Sequence, residues 1–208
     1  MKHRILPALA MLFALGACLP GGTYELSPVF LPLTATTQQT VVAAVIDRRP
    51  YVLDGDESPS FLGTERANWG GEKKIKTSSG RSLAEDLSDA VVEALRNRGV
   101  AASTPQSIKG ADTTDMLAAF QAQGADRLLI VEIEDWRTDV YTRVKLSWRL
   151  EAIVYDRAGN ALAHSSSQGA NPIASTNLKA DYSVIAVEEL SKQLSNLLNE
   201  RVITQALR

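Results

Sequence analysis

Few residues in this chain have the type and spacing to do chemistry. Glu132 and Glu134 would stand on one face of a strand with carboxylates about 7 Å apart, within broad reach of a glycosidase acid pair. Arg143 and Lys145 on a facing strand would neutralise them, and that simpler account is adopted. Asp54, Asp56, Ser58 and Glu65 fall at positions one, three, five and twelve of a calcium loop. Position six is Pro59 where the sharp turn needs Gly, and no amphipathic helix flanks the segment, so it reads as a solvated acidic turn. Trp69 precedes Gly70 and Gly71, with Lys73, Lys74 and Lys76 beyond. That set could touch lipid headgroups or a partner, but a Trp folded back on a sheet beside a solvated charge run explains it better. The two histidines are His3 and His164, and His164 has no cysteine near it and no metal-ligand spacing. A hydrolase would need His164 in a polar cleft beside a carboxylate. No nucleophile elbow, Ser-x-x-Lys, His-Glu-x-x-His or phosphate loop occurs. No catalytic residue, metal or cofactor is therefore assigned, and the chain reads as non-enzymatic.

One thiol remains. Cys18 is the only cysteine, which excludes an internal disulfide. It closes the tetrad Leu15-Gly16-Ala17-Cys18, which resembles a lipobox. Lys2, His3 and Arg4 form a positive start, and residues 5–15 form an apolar run ending at small residues, as in an export signal. The run is shorter than the about 20 apolar residues that span a bilayer, and Pro20, Gly21 and Gly22 follow it. The resemblance implies that residues 1–17 are a lipoprotein signal peptide, with Leu15, Gly16 and Ala17 as the peptidase recognition residues. It also implies that Cys18 carries an S-diacylglycerol and an N-acyl chain, an anchor strong enough for stable attachment. Leu19 in place of Asp favours the outer membrane by the same resemblance. The expected location is the cell envelope, lipid-anchored and facing the periplasm.

The 208 residues carry 22 Lys and Arg against 24 Asp and Glu. Removing Lys2 and Arg4 with the leader deepens the negative balance, which argues against nucleic acid as a partner. What remains suffices for one domain with a real core. Residues 18–38 read as a tether because Pro20, Pro28 and Pro32 interrupt them and Gly21 and Gly22 loosen them. Tyr24, Leu26, Val29, Phe30, Leu31 and Leu33 exceed what a spacer needs, so part of it is expected to pack on the domain.

Residues 39–208 form the domain. Residues 40–47 are continuously apolar and partly β-branched, which predicts a central strand covered on both faces. Residues 51–80 hold too many breakers for one regular element, with short strands near Val52 and over residues 74–77. Ser82 and Glu85 make a capping box for a helix over residues 82–98, with Leu83, Leu87, Val91 and Leu95 on one stripe and Gly99 as its stop. A short strand over residues 100–104 and a helix over residues 114–123 follow, the helix with Leu117 and Phe120 inward and Gly124 as its end. Residues 127–156 alternate as a hairpin turning between Thr138 and Asp139. That register sets Glu134 opposite Arg143, Glu132 opposite Lys145, and Ile133, Val131 and Leu129 opposite Val144, Leu146 and Trp148. Residues 156–160 turn into a weak edge strand running to about Gly169. A long helix from residue 178 to 206 presents Val187, Leu190, Leu194 and Leu197, with Leu198 and Val202 beside them. The fold class is α+β: a single domain with a mainly antiparallel sheet and helices packed largely on one face.

This order of elements behind a lipobox resembles the YajG-like family of small bacterial lipoproteins. Residues 41–49, residues 81–100 with their Ser-Leu-Ala-Glu-Asp-Leu run, residues 125–136 and residues 145–155 carry the resemblance. The chain departs from that family in the length of residues 51–80 and in the helix over residues 114–123, which also suggests kinship with auxiliary lipoproteins of lipid-export and lipopolysaccharide-assembly machines. The resemblance implies a non-enzymatic envelope interaction or accessory protein whose partner is an envelope protein or lipid. The alternative is a lipid- or lipopolysaccharide-binding component of a transport machine, which would need an apolar groove between sheet and helices.

Overall fold

The computed structural model describes residues 23–24, 30–66, 71–105, 112–141, 143–175 and 182–208. Residues 15–18 and Trp69, singled out above, lie outside the described residues. In chain order the elements are β1 (Thr23–Tyr24), β2 (Val41–Asp47), α1 (Pro50–Leu53), β3 (Phe61–Arg66), β4 (Glu72–Thr77), α2 (Leu83–Asn97), β5 (Ala102–Ser103), α3 (Thr113–Gln123), β6 (Arg127–Val140), β7 (Arg143–Asp156), β8 (Ala161–Ser175), α4 (Tyr182–Leu198) and α5 (Arg201–Ala206).

β6 is the spine of one sheet. Its outer edge pairs along its whole length with β7, which pairs in turn with β8, both antiparallel. Its other edge is shared. Residues 127–133 pair in parallel with β2, and residues 138–140 pair in parallel with β3, which continues antiparallel to β4. The sheet is therefore mixed, with its longest pairings antiparallel and its central strand held in parallel register. A strand buried on both faces suits that position. Val41, Ala43 and Val45 pack with α2 and α4 on one face, while Val42, Ala44 and Ile46 pack with Met116 and Phe120 of α3 on the other.

α2 forms where the capping box predicts it. Ser82 accepts from the Glu85 amide, the Glu85 carboxylate answers the Ser82 amide, and Gly99 ends the helix at φ 79°. Its stripe of Leu83, Leu87, Val91 and Leu95 is at most 1% exposed, as are Leu190, Leu194 and Leu197 of α4. The space between sheet and helices is thus filled by side chains. α2, α4 and α5 share this face, and α3 alone covers part of the other.

Several expectations are corrected. The strands pair out to Val140 and Val144, beyond the expected turn at Thr138 and Asp139, so Ile133 faces Leu150, Glu132 faces Glu151, and Trp136 faces Trp148. Polar Thr138 does not mark a turn: it is fully buried, and β3 pairs alongside it, carrying both strands on to Val140 and Val144. A bulge at Glu134 then moves the inward set from odd to even residues. Residues 61–66 are a strand inside the expected loop, and Val52 lies in a helical turn. Leu117 packs partly buried against the cluster that holds Phe120, and Met116, which the period did not single out, is fully buried there. The C-terminal helix breaks at Asn199 and Glu200, which turns Ile203 inward and leaves Val202 48% exposed. The edge strand β8 runs on to Ser175. Within residues 18–38, Thr23 and Tyr24 pair with β4, and Leu31 and Leu33 enter the core.

Candidate functional site

β2 delivers the chain to a corner built by three consecutive residues. Asp47 ends the strand. Arg48 reaches towards α3, its guanidinium 3.2 Å from the Thr113 hydroxyl and 3.5 Å from Glu132. Arg49 folds back and is wholly buried, donating to both carboxylate oxygens of Asp47 at 2.8 and 2.7 Å and to the carbonyls of Phe61 (2.5 Å) and Pro59 (3.2 Å). Burial pulls the Arg49 pKa down, but the hydrogen bonds and charge of Asp47 outweigh it and the net shift is upward. Pro50 at the first helical position starts α1, and Tyr51 from α1 donates to the Trp136 carbonyl at 2.8 Å. Burial holds the Tyr51 phenol above its ordinary pKa. The Arg137 guanidinium lies 4.5 Å from the centre of its ring. Arg49 thereby ties the loop after α1 to the end of the central strand.

The corner encloses a crevice of about 560 Å³ at the carboxyl end of β2, between the starts of α2 and α3. Ligands of open α/β sheets favour such a place. Ile46, Val52, Leu53 and Pro59 supply an apolar lining, with Leu53 63% exposed, and Arg48 and Arg81 stand at the rim. Arg81 is paired with Asp89 at 2.7 Å and Asp86 at 3.4 Å, and the bond to Asp89 holds its pKa above the ordinary value. Each helix start carries a capping box, Ser82 with Glu85 and Asp112 with Asp115, which engages the amides of those four residues. The crevice thus combines an apolar lining with two guanidinium groups at its rim.

A second groove, about 500 Å³, runs between residues 30–34 and the Ala90 to Arg98 side of α2. Asn199 holds the strap, accepting from the Thr34 amide at 2.7 Å and donating to the Pro32 carbonyl at 2.9 Å, and Ser191 donates to the Phe30 carbonyl. Phe30 stands at its mouth, 77% exposed.

The residues singled out for chemistry are dispersed. Glu134 meets Arg149 at 3.6 Å rather than Arg143, and Glu132 meets Arg48 and Thr113 rather than Lys145. Glu132 and Glu151 face each other as like charges, an unfavourable pair that Arg48 relieves at Glu132, while a ring nitrogen of His164 lies 3.2 Å from Glu151. His164 lies on the edge strand beside Glu151, with its side chain 55% exposed. Asp54 and Asp56 stay on an exposed turn, and Lys74 is engaged by Glu57 at 2.7 Å. Among the described residues no three His, Cys, Asp or Glu side chains group as a metal site, and no helix is long and apolar enough to cross a membrane. Sequence reasoning missed Arg49. An Arg-Arg-Pro run after an apolar strand signals a strand end, and nothing local says that its second arginine turns inward.

No family model and no curated protein matches the sequence. The fold is similar to that of a Xanthomonas campestris protein assigned to family DUF330, with TM-score 0.52 and 17% identity over 88% of this chain and 95% of that one. More distant similarities are to a PelC dodecamer from Paraburkholderia phytofirmans (TM-score 0.47, 12% identity, 91% of this chain and 95% of that one) and to the lipoprotein GNA1162 from Neisseria meningitidis (TM-score 0.34, 13% identity, 76% and 99%). What is shared with the Xanthomonas protein is the fold. Bacterial lipoproteins stand among the similar structures, and at these identities nothing further passes to this chain.

Proposed function

We propose that this chain is a lipoprotein anchored through Cys18, facing the periplasm from the outer membrane, and acting as a non-enzymatic interaction or accessory protein of the envelope. The observation that carries the reading is the tetrad Leu15-Gly16-Ala17-Cys18 closing a short apolar run behind Lys2 and Arg4. The YajG-like resemblance supports it. So does the dispersal of carboxylates and His164 into separate pairs, while Phe30 and Leu53 offer apolar surface beside grooves. Phe30 lies twelve residues beyond Cys18, so the groove at Phe30 would open near the membrane that holds the anchor.

The test is metabolic labelling with palmitate and membrane flotation of the wild type and of Cys18→Ser. Label should enter the wild type and be lost in the variant, and the wild type should float with outer-membrane fractions. Equal labelling, or wild-type protein free in the periplasm, would refute the anchor. Crosslinking in intact cells should then recover one reproducible envelope protein. A reproducible lipid in its place would support the alternative, a lipid- or lipopolysaccharide-binding transport component. That alternative rests on the rim crevice at Leu53, because the space between sheet and helices is filled.

A further inference from the structure

β8 is a long edge. It has 15 residues and, among the described residues, pairs with β7 alone. Edges of this length are ordinarily blunted by charge, by bulges or by covering elements, because their free amides and carbonyls template another strand. β8 contains no Lys, Arg, Asp or Glu. By contrast β4, whose second side is paired with β1 only at Lys76 and Thr77, carries Glu72, Lys73, Lys74 and Lys76, the charged pattern of a guarded edge. From residue 163 to 172 the register of β8 on β7 is free of bulges, so the outer edge is regular over that stretch. Ser166, Gln168 and Ala170 are exposed there and are small or neutral. Beside the start of this edge, Leu162 and Val202 are 46% and 48% exposed and flank one hollow with His164 and Gln205.

We infer that the outer edge of β8 is a self-association surface on which a second copy of this chain adds its own β8 antiparallel, joining two sheets across a twofold axis near Ser167. Two features select a second copy over another extended partner. A twofold sets each residue opposite a residue of the same strand, which repels whenever the strand is charged, and this one is neutral. The contact is isologous, so each β8 edge is used once and the pairing closes at two copies. The hollow at Leu162 and Val202 then lies at each end of the paired strands, where the second copy covers it.

The test uses the full chain in intact cells, whether or not it fractionates with membranes. His164→Cys, Ser166→Cys, Gln168→Cys and Ala170→Cys are made one at a time, with the unsubstituted chain as control for Cys18, and disulfide formation is followed under mild oxidation. A covalent dimer should form in highest yield at Ser166→Cys and Gln168→Cys, which flank the axis, and in lower yield at His164→Cys and Ala170→Cys. Adding Gln168→Lys to Ser166→Cys, or Ser166→Lys to Gln168→Cys, should lower that yield about tenfold, since two lysines then lie on one face beside the axis, while the circular dichroism spectrum stays unchanged. Gently extracted wild-type protein should have the mass of two copies. A flat or absent crosslinking pattern, a monomeric mass, or a ladder of higher species would overturn the inference. If the lysine variants do not fold, the cysteine series and the mass decide alone. None of these readouts depends on Cys18 being acylated, so failure of the anchor and failure of the dimer are separate results.

Discussion

Replacing Arg49 with Met keeps much of its volume and removes every donor that holds the corner after β2. The arginine side chain is wholly buried, and its partner Asp47 is only 12% exposed. The substitution leaves that carboxylate without its cation and the Phe61 and Pro59 carbonyls without their donor. Breaking one side of a buried pair costs about 3–5 kcal/mol, because the remaining charge stays desolvated. The slight exposure of Asp47 puts the expected loss near the lower figure. For a domain of this size each kcal/mol moves the thermal midpoint by roughly 2–4 °C. Urea unfolding followed by circular dichroism measures the loss directly, and a cycle with Asp47→Asn separates its parts. The double variant has no orphaned charge, so it should be less destabilised than the sum of the two single variants. A loss below about 1 kcal/mol for Arg49→Met, or strict additivity in the cycle, would refute the argument that this arginine fastens the loop to the central strand.

Ser88 accepts the Val45 amide at 2.8 Å while donating to the Ala84 carbonyl at 2.7 Å, so Ser88→Ala should cost about 1–3 kcal/mol by chemical denaturation. Gly63 has φ 152°, and an added Cβ would strike the Thr138 backbone, so Gly63→Ala should separate β3 from β6 and be seen as faster amide exchange over residues 138–140. Asp126 accepts from the amide and hydroxyl of Thr40 and lies by Arg157 and Arg127, which lower its pKa below the ordinary 3.8. A lowered carboxyl stabilises the fold fully above 3.8 and loses that contribution as pH falls through its folded value, so Asp126→Asn should flatten the acid limb of a stability-against-pH curve. Gly169→Ala should displace the Trp148 ring that lies over it, with a change in tryptophan emission as the readout.

The sequence alone determined the elements whose signals are local. α2 is announced by Ser82, Glu85 and a stripe of leucines, and it forms with that cap and that buried face, because a capping box and a 3.6-residue period each need only neighbouring residues. β2 reads as central from its unbroken apolar run, and the turn at residues 156–160 from its polar cluster. The α+β class follows from those pieces.

Tertiary structure decided whatever depends on residues far apart. The hairpin register moved because β3, from inside a loop, pairs beside Thr138 and extends both strands, and no property of Thr138 itself encodes that. β5 covers only the first two residues of β2, so the Val45 amide needs a partner that α2 supplies through Ser88. Arg49 looks like a surface cation in an Arg-Arg-Pro run until Asp47, Pro59 and Phe61 surround it. The break at Asn199 and Glu200 is invisible in the helical period, and Glu200 finds a use for it by accepting from Ser165 at 2.5 Å. The physical reason is common to all four. Caps and periodicities are satisfied within a few residues, whereas a buried amide, carboxylate or guanidinium must find its partner wherever the chain happens to return, and only the folded arrangement says where that is.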